Sequence, residues 1–156
     1  NRDLFIYDVV SQMNPILISI YGDGDWHPII AAGAVERTMA YVNQGESDGI
    51  DIVDVSNLEN PEIVGNLQVP LIWNSIVDID STEGLLFVGG NILLVYDLSN
   101  LQAPYPIGEY VEQVSKIFVM DNMLVVIGPY AGNTGVHLFD LSGCSMRKHV
   151  RPFSGP

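Results

Sequence analysis

Basic residues are scarce in this chain: six lysines and arginines stand against nineteen acidic residues. All nineteen acids precede Leu141, where only Arg2, Arg37 and Lys116 oppose them, while Arg147, Lys148 and Arg151 make the tail basic. A body this acidic repels a phosphate backbone, which argues against nucleic acid as a partner. Cysteine occurs once, as Cys144, so no internal disulfide can form, and any partner thiol lies outside this piece. No apolar run is long enough for a transmembrane helix. His27, His137 and His149 share no metal-type spacing, which leaves zinc and triad chemistry without support. The chain does not begin with methionine and no signal peptide is read at its start, so it is expected to be a mature or excised piece of a longer polypeptide.

What is present is an apolar, repetitive sequence. Hydrophobic residues make up 47% of it, well above the range of disordered chains. One pattern recurs: an apolar run ending in aspartate, a polar turn, a proline, and a second apolar run. The copies are LFIYDVVSQMNPILIS from Leu4, IDIVDVSNLENPEIVG from Ile50, LLVYDLSNLQAPYPIG from Leu93 and VHLFDLSGCSM from Val136. Their aspartates, Asp8, Asp54, Asp97 and Asp140, lie 46, 43 and 43 residues apart. Pro15, Pro61 and Pro104 each come seven positions after their aspartate, whereas the fourth copy has Arg147 there. A period in the low forties made of β-type residues fits one four-stranded antiparallel blade of a β-propeller.

Each part of the pattern has a physical reason. The runs before the aspartates are rich in branched and aromatic residues and lack a clean polar face, as expected of strands buried on both sides between neighbouring sheets. The aspartate can accept backbone N–H groups of the following turn, with Ser56, Ser99 or Ser142 assisting. These aspartates are therefore structural turn-formers first. The proline opens an outer edge strand, where a missing N–H is tolerated.

The pattern resembles the LVIVD repeat family, carried here by IDIVDVS (Ile50 to Ser56), LLVYDLS (Leu93 to Ser99) and LFIYDVV (Leu4 to Val10). Asn14-Pro15 and Asn60-Pro61 continue the likeness, and Ala103 replaces the asparagine in the third copy. The resemblance implies a propeller in a secreted or cell-surface protein, extracellular or periplasmic, and supplies no catalytic residues.

The expected fold is all-β, a propeller segment of about three and a half four-stranded blades in one domain. Residues 1–21 form the outer half of a first blade, 22–67 a second, 68–110 a third, and 111–156 a fourth, degenerate blade with a basic tail. Strands are expected at 4–10, 16–21, 29–35, 39–43, 50–55, 62–67, 76–80, 85–88, 93–98, 105–110, 116–120, 124–127 and 136–141. A final outer strand is expected near 149–153. Glu36-Arg37, Gly89-Gly90-Asn91 and Asp121-Asn122 are read as tight turns, and 128–135 as a longer loop. These strands are too few to close a ring, so exposed apolar sheet faces would need a cover. The leading explanation is a segment of a larger propeller. A half-blade at the start does not complement a nearly whole blade at the end, which weighs against simple head-to-tail dimerisation.

Loops between blades and between second and third strands share one propeller face. It would gather Asp23, Asp25, Trp26, His27, Glu46, Asp48, Trp73, Asn74, Tyr130 and Asn133 as a binding face. Both tryptophans could equally be core between blades. Asp23, Asp25, Glu46 and Asp48 offer clustered oxygens of the kind calcium takes, although neither cluster follows the twelve-residue calcium loop and turns are the commoner use of such residues. Calcium is the one candidate cofactor. Asp78 and Asp80 alternate to one side of an inner strand and so could line a central channel.

No catalytic residue is assigned. The first functional reading is a non-catalytic scaffold binding another protein chain, or the rest of a longer propeller, through its acidic loops. The alternative is a hydrolase, calcium-assisted or not, with a channel-mouth site near His27 and Asp78. A further alternative is carbohydrate binding by Trp26 and Trp73.

Overall fold

The computed structural model describes residues 4–8, 16–21, 33–36, 38–43, 49–69, 78–82, 84–110, 113–130 and 133–142. All regular structure in them is strand, and no helix is long and apolar enough to cross a membrane. Sheet I pairs β1 (Leu4–Asp8) with β2 (Ile16–Tyr21). Sheet II is a meander of β3 (Gly33–Glu36), β4 (Met39–Val42), β5 (Gly49–Asp54) and β6 (Glu62–Gln68). Sheet III repeats that order with β7 (Asp78–Thr82), β8 (Leu85–Gly89), β9 (Leu93–Asp97) and β10 (Tyr105–Tyr110). Sheet IV contains β11 (Lys116–Met120), β12 (Met123–Tyr130) and β13 (Asn133–Asp140). Every pairing is antiparallel, and the described strands form no closed ring.

The apolar runs lack a polar face because sheet III is covered on both sides. Leu86, Val88, Leu94, Tyr96 and Leu98 pack with Met39, Tyr41, Ile50 and Ile52 of sheet II. The alternate residues Leu85, Phe87, Leu93 and Val95 pack with Ile117, Leu124, Val126, Phe139 and Leu141 of sheet IV. Successive strand residues point to opposite faces, so one short run supplies both cores. The first strands lie side by side, β3 against β7 and β7 against β11.

The described turns, after the second, third and fourth runs, share hydrogen bonds. Asp54, Asp97 and Asp140 each accept through Oδ1 from the amide two residues on, Ser56 at 2.8 Å, Ser99 at 2.6 Å and Ser142 at 2.8 Å. The residue after each aspartate donates back to the hairpin before the second strand: Val55 to the Thr38 carbonyl, Leu98 to Gly84 and Leu141 to Asn122. Asn57 and Asn100 then close matching turns, accepting from Glu59 and Gln102 through Oδ1. Their carbonyls accept from Asn60 and Ala103. Pro61 and Pro104 stand just before β6 and β10, which are outer edge strands lacking a further neighbour to need the N–H. Register shifts leave out Ile18, Val64 and Ile107, each the tenth residue after its aspartate.

Two local expectations are corrected. Residues 128–135 do not form a longer loop: β12 and β13 continue as a ladder through Gly128↔Gly135, Pro129↔Thr134 and Tyr130↔Asn133. The Ile127 carbonyl faces Ser115, and Pro129, two residues on, faces the same edge beyond the start of β11, where no ladder needs its N–H. Glu36 pairs with Met39 and so belongs to β3 rather than to the turn. The expected strand near 149–153 lies outside the described residues, as do the connections 22–28 and 70–74, and Cys144 with the basic tail.

Candidate functional site

Most of the proposed binding face, Asp23, Asp25, Trp26, His27, Glu46, Asp48, Trp73 and Asn74, lies outside the described residues. The four candidate calcium ligands are among them. Tyr130 and Asn133 are brought together as facing residues at the far end of the β12–β13 ladder. Among the described residues, no three histidine, cysteine or acidic side chains converge as a metal site would require.

Asp78 and Asp80 form the most developed polar constellation. They sit two apart on β7, so both carboxylates leave the strand on one side. Asp78 Oδ2 accepts from the Ile117 amide and Asp80 Oδ2 from the Val119 amide, both at 2.8 Å. Their Oδ1 atoms accept from their own next amides, Ile79 at 3.2 Å and Ser81 at 2.8 Å. Lys116 Nζ stands 3.4 Å from Asp78 Oδ2. β7 and β11 are each the first strand of a separate sheet, so these amides have no ladder between them. The two carboxylates replace that ladder with charge-assisted bonds. Both oxygens of each acid are thus engaged, Oδ2 with the neighbouring sheet and Oδ1 with the acid's own strand. The position on β3 that corresponds to Asp80, read from its hairpin register, carries Ala34, which has no carboxylate to offer β7.

Other polar side chains join neighbouring sheets at equivalent places. The buried Tyr41 hydroxyl donates to the Leu101 carbonyl at 2.9 Å, and the Ser19 hydroxyl donates to the Leu58 carbonyl. Leu58 and Leu101 occupy the same position of the SNL turn, four residues after their aspartates. Tyr110 of β10 meets His137 of β13, hydroxyl to Nδ1 at 3.2 Å, and stacks edge-on against Phe139 with ring centres 5.1 Å apart.

Electrostatics follow the turns. The Ser56 amide and then its hydroxyl hold Asp54 below the usual carboxylate range, and the Ser142 hydroxyl and then its amide do the same for Asp140. Burial pushes the Tyr96 phenol up.

Concavities lined by described residues include a groove and a hairpin pocket. A groove of about 700 Å³ runs between the end of β6 and the face of sheet III, with Leu67, Val69, Leu94, Tyr96 and Pro106 as apolar wall and Glu109 among its polar lining. A second, of about 630 Å³, lies at the β11–β12 hairpin between Met120, Met123 and Leu138, with Asp121 and Asp140 at its edge. Around it Phe118, Met120, Val136 and Leu138 are exposed. This apolar surface is where the run before Asp140 departs from expectation: it is buried on one face only, and among the described residues no sheet lies against the other.

No protein-family model matches the chain, and no curated protein matches its sequence. The clip at Asp78 and Asp80 was not legible as such in the sequence, since its acceptor geometry depends on amides 39 residues away. The available signal was two acids alternating on a strand otherwise expected to face inward.

Proposed function

We propose that this chain is a segment of a β-propeller of the LVIVD repeat kind. In this reading it acts as a non-catalytic scaffold that binds another protein in an exported or cell-surface assembly. The observation that carries the reading is the arrangement of sheets II, III and IV. Each is a meander entered from its first strand, the first strands neighbour one another, and sheet III is buried on both faces. That is the packing by which propeller blades surround an axis. Matching turns after Asp54, Asp97 and Asp140 support a repeat as the unit of construction.

The scaffold reading is supported by where the acids are used. Asp54, Asp97 and Asp140 cap turns, and Asp78 and Asp80 clip two sheets, so the acids best placed by the fold do structural work. The remaining acidic charge suits a partner with a basic surface, bound with strong dependence on salt. Native mass spectrometry of the particle that contains the chain, with and without a calcium chelator, tests this. A stoichiometric complex with a different protein, loosened by salt and indifferent to chelation, is the expected result. A purified particle that contains no other protein at any ionic strength would overturn the scaffold reading. Loss of a calcium-sized mass with dissociation would move Asp23, Asp25, Glu46 and Asp48 from turns to metal ligands.

A further inference from the structure

Two neighbouring seams of this fold use equivalent positions and end differently. Between sheets III and IV, Tyr110, thirteen residues after Asp97, lays its ring edge-on against Phe139 with centres 5.1 Å apart, and its hydroxyl stands 3.2 Å from His137 Nδ1. Phe139 and His137 lie one and three residues before Asp140. Between sheets II and III the same positions carry Leu67, thirteen residues after Asp54, with Tyr96 and Leu94, one and three before Asp97. The ring that closes one seam is absent from the other, and Leu67, Leu94 and Tyr96 line the groove of about 700 Å³ found there.

At the facing position the exchange runs the other way. Where sheet IV has Phe139, sheet III has Tyr96, and the added hydroxyl has no hydrogen-bond partner among the described residues although the side chain is only 2% exposed. A buried phenol ordinarily finds a partner, because an unmet O–H costs stability. The oxygen is not fully enclosed, and the space its residue lines is the groove. Burial pushes this phenol up, so at neutral pH it remains an O–H able to donate as well as accept. Glu109 pairs across the strands with Leu94, lies on the same side of sheet III and lines the groove too. Its exposed carboxylate has no ion pair or hydrogen bond among the described residues.

We propose that this groove binds a small aromatic amine carrying a polar group on its ring. The ring takes the place that Tyr110 fills at the next seam, edge-on to Tyr96, with Leu67, Val69 and Pro106 as walls. Its polar substituent meets the Tyr96 hydroxyl, and its ammonium group meets Glu109. An anion of the same shape is disfavoured, because the charge in the lining is the Glu109 carboxylate. The volume is that of a small-molecule site. This inference goes beyond the protein-binding reading and is tested separately from it: the particle's composition decides that reading, and a titration of the purified chain decides this one.

Tyramine is the probe, added to the purified chain while the amide resonances of Leu94, Tyr96 and Glu109 are followed by NMR. Saturable shifts at those amides with a Kd of about 1–5 mM are expected for a ligand of this size. Phenethylamine, which lacks the ring hydroxyl, should bind about fivefold more weakly. Para-hydroxyphenylpropionate, with a carboxylate in place of the ammonium, should bind about tenfold more weakly or worse. Tyr96→Phe should erase the difference between the two amines, and Glu109→Gln the difference between amine and carboxylate. Leu67→Tyr supplies from the chain itself the ring seen at the next seam, and should weaken tyramine by about tenfold with the strand amides otherwise unmoved. A native chain without saturable shifts would overturn the proposal. So would a tyramine-to-phenethylamine ratio that Tyr96→Phe leaves unchanged, or tyramine binding that a folded Leu67→Tyr leaves at its native strength. Should Leu67→Tyr fail to fold, the Tyr96→Phe and Glu109→Gln ratios decide the matter alone.

Discussion

The clip between β7 and β11 makes a demanding prediction for Asp80→Ala. The substitution removes the acceptor of two amides at once, Val119 and Ser81, each at 2.8 Å. A hydrogen bond to a charged group contributes about 1.5–3 kcal/mol. Asp80 is half-buried, so water can replace part of what is lost, and a net destabilisation of about 2 kcal/mol is expected. With a urea slope of about 2 kcal/mol per molar, the unfolding midpoint should fall by about 1 M with the slope unchanged. Protein concentration must be held constant, because association shifts apparent stability. Asp80→Asn keeps a single carbonyl oxygen and turns an N–H toward one of the two amides, so it should lie between native and alanine. Glu59→Ala, in an exposed turn, is the control and should stay within about 0.5 kcal/mol. Amide exchange resolves the two acids: protection should fall at Val119 in Asp80→Ala and at Ile117 in Asp78→Ala. If Asp80→Ala moves the midpoint no more than Glu59→Ala, or Val119 exchanges at its native rate in Asp80→Ala, the carboxylates do not join the sheets.

Tyr41→Phe should destabilise by about 1–2 kcal/mol in the same urea assay, because it leaves the Leu101 carbonyl without its donor at a buried seam. Gly128→Ala should be among the most damaging single methyl additions, since its Cβ would come within 2.0 Å of the Gln113 carbonyl oxygen, whereas Gly108→Ala meets only Val95 at 4.0 Å and should be tolerated; thermal midpoints separate the two. The lowered Asp54 and Asp140 carboxyls contribute stability that is fully present above their unfolded pKa of about 4 and is lost as pH falls through their folded values. Asp54→Asn with Asp140→Asn should therefore flatten the acid limb of a stability–pH curve. Tyr96 has the opposite sign: its raised folded pKa means a contribution present below about pH 10 and lost as pH rises through the folded value. Tyr96→Phe should flatten the alkaline limb, and spectrophotometric titration should show a late-titrating tyrosine in the native chain that the variant lacks.

The local grammar of this protein was legible in its sequence. The run, the aspartate, the SNL turn and the proline are short-range devices, satisfied by hydrogen bonds over two or three residues, so the strands 16–21, 105–110 and 116–120 fall where their patterns place them. Gly84, with φ of 83°, and Asp121, with φ of 51°, likewise mark hairpins through preferences of their own backbone. Pattern failed where pairing overrides local signals. Gly128, Pro129 and Gly135 read as loop residues, yet each sits in a ladder because the facing strand supplies partners and β11 does not reach Pro129.

Burial was decided only by the tertiary structure. Val95 and Leu138 occupy the same place in the same motif, and one is buried while the other is exposed, because sheet IV packs on that face of sheet III and no described sheet packs on that face of sheet IV. The work of Asp78 and Asp80 was decided there too. Their spacing put both on one side of a strand, but the amides they hold belong to β11, in another sheet. A period in the sequence determines the unit and its turns; which units touch, and which faces are left open, depends on contacts between residues some forty positions apart.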